Sequence, residues 1–210
     1  MGREGGLDAA RKADLRRHFR ARRRRLLSHA EGAVIAQVQR LLPGLLRGEG
    51  RLGIYWPLEG EIDLRETLAA PGFGPVRLAL PAIDDGRLLY RPWQPGEPLE
   101  RDACGIPAPP PAAGNLAASA LQLLLVPALA MDAQGVRLGY GGGWYDRLRG
   151  QLSWRRVPAL AVLPAGCLTP RLPREAWDVP FDGWISEQGL GLVGAGSSGE
   201  AGRGALRDEP

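Results

Sequence analysis

Lysine is nearly missing from this sequence: Lys12 is the only one, against 26 arginines. A composition rich in Arg, Ala, Gly and Pro fits a bias that converts interchangeable lysines. The one that remains is then expected where a guanidinium does not replace a compact ammonium. Cysteine is scarce too. Cys104 and Cys167 stand far apart with no CxxC pair, which argues against a disulfide framework or a zinc site and reads each as a small buried hydrophobe. The two histidines, His18 and His29, receive no role. No apolar run reaches the length needed to cross a bilayer, the first residues lack a signal-peptide core, and no internal repeat is found. A soluble, cytoplasmic protein with no membrane partner is expected.

What is present is ample hydrophobic material, 44% of 210 residues, enough for one domain with a substantial core. Charge is unevenly placed. The first 25 residues hold ten Lys/Arg against Glu4, Asp8 and Asp14, in a chain whose net charge is only +4. Such an arm could neutralise nucleic-acid phosphates; the plainer reading is a solvated helix face, so no nucleic-acid partner is expected. Residues 8–27 read as a helix with an apolar stripe of Leu15, Phe19 and Leu26. Lys12 and Arg16, four apart, project from one face of it. They repel each other unless an anion lies between them, and a polyphosphate would suit.

Ser28-His29-Ala30-Glu31 matches a capping box and predicts a second helix, its buried face carried by Val34, Ile35, Val38, Leu41, Leu42 and Leu45, with a break at Pro43-Gly44. Strands are predicted at 52–56, ended by Pro57, and at 76–80, ended by Pro81. Asp84-Asp85-Gly86 predicts a turn between antiparallel strands. Leu121 to Val126, the most hydrophobic run, predicts a central parallel strand buried on both faces. A further buried strand is expected at 159–163 and a last short one near 184–186. From Gly189 onward Gly, Ser, Ala and charge dominate, which predicts a disordered tail over 189–210 and a domain over 8–188. The fold class follows: a single three-layer α/β domain, with a mixed, mostly parallel open sheet flanked by helices and the basic N-terminal helix packed near the site.

The stretch that carries chemistry is Arg137-Leu138-Gly139-Tyr140-Gly141-Gly142-Gly143-Trp144-Tyr145-Asp146. Glycines let backbone N–H groups approach a ligand, and successive N–H groups in such a turn make an anion-binding concavity. Trp144 to Leu152 read as a helix, so the turn opens onto a helix start. It is neither a dinucleotide fingerprint nor a P-loop. A glycine-rich surface turn is the bland alternative, but Arg137, Tyr140, Trp144, Tyr145 and Asp146 supply charge, stacking surfaces and a candidate metal ligand within ten residues. Because the turn lies beyond the carboxyl end of the 121–126 strand, it sits where open α/β sheets bind ligands. Glu61, in the loop after the first strand, could read a ligand's amino groups or be an acid favoured by a helix dipole; spacing alone favours the latter.

Val126 to Asp132 together with Gly135 to Asp146 resembles the signature of the 5-formyltetrahydrofolate cyclo-ligase family. Lys12-x-x-x-Arg16, Tyr55-x-x-x-x-Gly60-Glu61-Ile62-Asp63, Leu80-Pro81, Gly105-Ile106-Pro107 and Asp178-x-x-x-Asp182 add matches in the family's order, up to about Ser186. The resemblance implies an enzyme that uses ATP and Mg2+ to cyclise 5-formyltetrahydrofolate to 5,10-methenyltetrahydrofolate, with release of ADP and phosphate, through a phosphorylated formyl oxygen. By that resemblance Lys12, Arg16 and residues Arg137, Leu138, Gly139, Tyr140, Gly141, Gly142, Gly143, Trp144 and Tyr145 bind ATP. Trp56, Glu61, Tyr140, Gly141, Gly142, Gly143 and Trp144 contact the folate. Arg137, Tyr140 and Tyr145 are the catalytic candidates, and Asp146 and Asp182 the metal ligands. The implied partner is a small-molecule folate, acted on by a monomer or weak oligomer.

The sequence departs from the family pattern at four places. Tyr140 stands where members usually carry arginine, Trp144 replaces a usual tyrosine, Trp177 stands where histidine is frequent, and Ala108 replaces an acid. These departures motivate the alternative, a relative that binds folate or nucleotide without turnover.

Overall fold

The computed structural model describes residues 2–46, 48–69 and 76–194. In chain order they form α1 (Gly2–Leu45), β1 (Arg51–Gly53), α2 (Arg65–Ala69), β2 (Leu78–Asp84), β3 (Arg87–Trp93), β4 (Glu100–Arg101), β5 (Pro107–Ala108), β6 (Leu121–Pro127), β7 (Ala130–Asp132), β8 (Arg137–Leu138), α3 (Trp144–Gly150), α4 (Leu152–Arg155), β9 (Ala159–Val162), β10 (Leu168–Thr169), β11 (Gly183–Ser186) and β12 (Gly189–Leu192). Among the described residues no helix is long and apolar enough to cross a membrane.

Seven strands form the main sheet in the order β12-β11-β9-β6-β1-β2-β3. The five inner strands run parallel, and β12 and β3 pair antiparallel at the two edges. The β6 run reads as continuous hydrophobic sequence because it lies at the centre, with a layer on each face. Leu123 and Leu125 share one buried cluster with Val34, Val38 and Leu42 of α1 and Leu68 of α2, while Leu124 and Val126 share the other with Leu148 of α3 and Trp154 of α4. The three-layer, mostly parallel α/β expectation holds. The Asp85-Gly86 turn holds as well. Both residues have positive φ (44° and 67°), as a two-residue hairpin turn matching strand twist requires.

Four boundaries differ from the sequence reading. The two predicted N-terminal helices are one helix of 44 residues. The capping box goes unused: Ser28 Oγ pairs with His29 Nδ1, and the Glu31 carboxylate accepts the backbone N–H of Asp63. Phe19, Arg23, Ala30, Val34, Val38 and Leu42 form one buried face. An N-cap contributes ~1 kcal/mol, whereas each fully buried aliphatic contributes ~1.5–3 kcal/mol, so packing along that face overrides the local stop. Pro43 is tolerated in the last turn, where only one intrahelical bond is lost.

Pro81 does not end its strand. β1 pairs only with Leu78 and Ala79, so Pro81 lies past that ladder and opposes Tyr90 of β3 on its other side. β1 itself ends at Gly53, earlier than the predicted 52–56, freeing Tyr55 and Trp56 for the site. The predicted tail starts too early, because Gly189–Leu192 is strand β12; residues 195–210 lie outside the described residues.

β12 packs closely on β11 because Gly183 of β11 and Gly191 of β12 leave room for a facing carbonyl and an indole. A Cβ on Gly183 would stand 2.1 Å from the Gly191 carbonyl oxygen, and one on Gly191 would enter the Trp184 ring. Backbone cannot yield as a flexible side chain does. Gly183→Ala is therefore expected to destabilise the domain by ~2 kcal/mol, read as a lower urea midpoint with an unchanged m-value.

Candidate active site

Strand order reverses between β1 and β6: β2 and β3 follow β1 to one side, while β9 and β11 follow β6 to the other. Such a switch point opens a crevice at the carboxyl ends of the strands. The cleft there has a volume of about 360 Å³. From α1 it receives Lys12 and Arg16, from the segment after β1 Trp56 and Glu61, and from the segment running through β8 into α3 Arg137, Leu138, Gly139, Tyr140, Gly141, Gly142, Gly143, Trp144, Tyr145 and Asp146. Each of these predicted site residues lines one cavity.

The glycine turn is pressed between α1 and its own aromatics. Arg16 Nε donates to the Gly139 carbonyl at 3.1 Å. A Cβ on Gly142 would stand 2.5 Å from Trp144 Nε1. Gly143, at φ 63°, is the left-handed residue that turns the chain into α3. Arg137 donates from Nη1 to the Pro127 carbonyl, and its guanidinium carbon lies 5.0 Å from the Tyr145 ring centroid and 5.4 Å from that of Phe181. Its Nε is buried without a hydrogen-bond partner among the described residues. Burial pushes the Tyr145 hydroxyl up to about 12, so at neutral pH it is a donor and not a base.

Lys12 is buried, with Nζ 2.8 Å from Asp178 Oδ2 and 3.0 Å from Glu175 Oε1. Burial works against its charge, but hydrogen bonds to Asp178 and Glu175 outweigh that and raise its pKa above the usual lysine value. The lysine that Arg-rich composition spared is thus a cation held between two carboxylates at the cleft wall. Asp146 is half-buried. Burial raises its carboxyl, with the Asp178 charge adding to that and Arg137 and Lys12 opposing it.

Asp182 is not brought to the cleft. It precedes β11 at the amino ends of the strands, where its carboxylate accepts the Ala159 N–H at 2.8 Å and faces Arg149 Nη2 at 3.4 Å. Its role as metal ligand is corrected to a structural one: it closes the start of β9 and offsets the buried Arg149 charge. Among the described residues no three acids, histidines or cysteines converge as a ready-made metal cage. Magnesium does not need one, since it is commonly held by one or two carboxylates together with substrate phosphates and water. Asp146, with Asp178 near enough to feel its charge, fits that requirement.

Glu61 is 6% exposed. Its Oε2 accepts the Leu58 N–H at 2.9 Å, and Oε1 has no hydrogen-bond partner of normal geometry among the described residues, standing 3.7 Å from Arg23 Nη1 with the Tyr140 hydroxyl also facing the carboxylate. Burial raises its pKa, against the Leu58 hydrogen bond and the Arg23 charge. This arrangement removes the helix-dipole reading, because Glu61 precedes α2 by four residues and faces the cleft. Trp56 lies under the Arg65 guanidinium, 3.8 Å from ring centroid to carbon.

Several residues in or behind the cleft were given no role by sequence. Arg23 donates to the Tyr140 hydroxyl and approaches Glu61; falling four after Phe19 and seven before Ala30, it sat on the apolar face of its helix, and that was the available signal. Glu175 and Asp178 bind Lys12, and Trp177 stands exposed at the mouth. Cys104 is exposed and lines the cleft, unlike buried Cys167, so its reading as a buried hydrophobe is corrected.

Comparison with known proteins adds the following. The 5-formyltetrahydrofolate cyclo-ligase family matches residues 8–187. A protein of Haemophilus influenzae named 5-formyltetrahydrofolate cyclo-ligase is 30% identical over 136 residues, 62% of this chain and 72% of that one. An Escherichia coli protein of the same name is 28% identical over 134 residues, 62% of this chain and 74% of its own. Among solved structures, the Aquifex aeolicus 5,10-methenyltetrahydrofolate synthetase superposes with a TM-score of 0.69 at 25% identity, covering 93% of this chain and 99% of that one. The Mycoplasma pneumoniae 5,10-methenyltetrahydrofolate synthetase, at 18% identity, shares the fold with a TM-score of 0.64 over 84% of this chain and 98% of its own. With the matched region running from α1 to β11 and through every segment of the cleft, the chain belongs to the 5-formyltetrahydrofolate cyclo-ligase family.

Proposed function

We propose that this chain converts 5-formyltetrahydrofolate to 5,10-methenyltetrahydrofolate at the expense of ATP, with Mg2+, in the cytoplasm and as a monomer or weak oligomer. One observation carries the reading. Lys12, Arg16 and the glycine turn, which suit a triphosphate, share a single cleft with Glu61, a buried acceptor without a hydrogen-bond partner among the described residues and suited to a pterin's N–H donors.

The chemistry explains the need for ATP. A formamide is resonance-stabilised, and its oxygen would have to leave as hydroxide when N10 closes the ring. The formyl oxygen instead attacks the γ-phosphorus, and the bond to ADP breaks. N10 then adds to the activated formyl carbon, its proton is lost, the C–O bond breaks, and inorganic phosphate departs. Asp146 would hold magnesium, which would supply charge neutralisation at the phosphates. Lys12 and Arg16 place cations against the phosphates, and the backbone of Gly141 to Gly143 surrounds them without side chains in the way. Arg137 sits where charge develops on the transferring group, and the Tyr145 hydroxyl is a proton donor to it. Trp56 and Trp144 offer flat surfaces to the ring systems.

The test is ATP-dependent appearance of methenyltetrahydrofolate absorbance. No turnover with magnesium and fresh substrate counts against the proposal. Within it, Lys12→Ala should raise the KM for ATP roughly tenfold or more, as loss of a charge-assisted contact does, with a smaller effect on the KM for folate; unchanged ATP kinetics would remove Lys12 from the scheme. The second reading, binding without turnover, is favoured by Tyr140, whose hydroxyl is committed to Arg23 and leaves no guanidinium at that position. Calorimetric affinity for folate or nucleotide in a protein that fails the absorbance assay would select it.

A further inference from the structure

Of the arginines on α1 between residues 16 and 25, only Arg23 is buried, at 2% exposure. Burying a guanidinium is costly unless its surroundings meet it with good geometry. Arg23 reaches three separate segments: Nη1 donates to the Ala128 carbonyl at 3.2 Å, just past β6; Nη2 donates to the Glu59 carbonyl at 3.5 Å, in the loop after β1; and Nη2 also donates to the Tyr140 hydroxyl in the glycine turn. A fourth neighbour, Glu61 Oε1, lies at 3.7 Å, within ion-pair range but beyond a hydrogen bond. Glu61 Oε1 therefore receives the field of a cation and faces the Tyr140 hydroxyl, yet among the described residues it closes no hydrogen bond within normal geometry, in a carboxylate that lines the cleft.

We propose that Arg23 is a positioning residue for folate recognition: it holds the Glu61 carboxylate charged and oriented, and ties Tyr140 beside it, so that Glu61 Oε1 accepts N–H donors from the pterin ring. This rests on the function proposed above. The groups that face Glu61 are Arg23 from α1, Tyr140 and Arg137 from the glycine turn and the strand before it, Tyr55 after β1, Tyr145 from α3 and the Leu58 N–H. Arg23 and Arg137 are the cations among them, and Arg23 is the one that also grips Tyr140.

The experiment compares full-length wild type with Arg23→Lys, which keeps the charge but not the fork, and with Arg23→Met, which keeps neither. Exposed Arg25→Met serves as a control. Steady-state kinetics for both substrates, calorimetry of folate without ATP, and thermal melts are run together. The folate KM and Kd are expected to rise roughly tenfold in Arg23→Lys and further in Arg23→Met, while the ATP KM moves less than about threefold. The acid limb of kcat/KM for folate is expected to move to higher pH in Arg23→Met and to stay near wild type in Arg23→Lys; Arg25→Met moves neither. Unchanged folate parameters in Arg23→Lys overturn the proposal, as does a parallel rise for ATP and folate, which marks a structural role. If Arg23→Met does not fold, Arg23→Lys decides alone. Wild type that binds folate beside variants that bind it equally well sinks only this proposal. Wild type that binds neither ligand sinks the functional reading with it.

Discussion

Arg137→Ala is expected to lower kcat by roughly 10²–10³-fold, the loss seen when one preorganised donor to developing charge is removed. The residue suits that role because it is rigid before any ligand arrives. Its Nη1 is bonded to the Pro127 carbonyl and its guanidinium lies against the Tyr145 and Phe181 rings, with Nε buried and unpaired among the described residues. A cation fixed in this way costs no reorganisation as charge moves onto the transferring phosphoryl group. Both KM values should change much less than kcat, since an interaction made mainly in the transition state is lost. Pre-steady-state quench of ADP formation separates this from slow product release. A variant whose ADP burst equals that of wild type would relieve Arg137 of the chemical step.

Glu61→Gln is expected to cost recognition without costing the fold. A site built to pair with N–H donors discriminates strongly once its buried acceptor is lost, so kcat/KM for folate should fall roughly 10²-fold or more while the KM for ATP is nearly kept. Stability at neutral pH should be kept or rise slightly, because the raised Glu61 pKa means that the fold favours the neutral side chain over the carboxylate. Urea unfolding with and without folate separates the two. A variant markedly less stable than wild type would mean that the carboxylate's charge is needed to hold Arg23.

The direction of the Glu61 shift fixes the pH dependence. Burial raises its pKa, so on acidification the carboxylate takes a proton before an exposed glutamate would, and kcat/KM for folate declines on that limb. The same shift acts the other way on the fold. Its contribution to stability is present below the unfolded value and is lost as pH rises through the higher folded value.

How far the chain could be read without coordinates depended on whether a signal was local. The β6 run, the Asp85-Gly86 turn and the glycine stretch are local. Their hydrophobicity, their φ requirement and their freedom from Cβ atoms act within a few residues. Asp178 and Asp182 show the limit. Four apart in one loop, they carry equal chemistry, and only the third dimension sends one to Lys12 and the other to Ala159 and Arg149. The strand β12 was hidden because glycine-rich composition resembles disorder, when the glycines are there to admit Trp184 and a facing carbonyl. The unused capping box at Ser28 failed for the opposite reason: a valid local stop was outweighed by a buried face extending over most of α1.

That uninterrupted helix joins two tasks that a loop would have kept apart. Lys12, Arg16 and Arg23 serve the cleft, and Val34, Val38 and Leu42 anchor the far end in the core. Each residue added or removed between Arg23 and Ala30 would turn the first group by about 100° about the axis while the second stayed in place. The angular phase between ligand-facing cations and sheet-facing aliphatics is thus set by the number of residues between them. Side chains on the outer face of this span are free to vary, whereas its length is not.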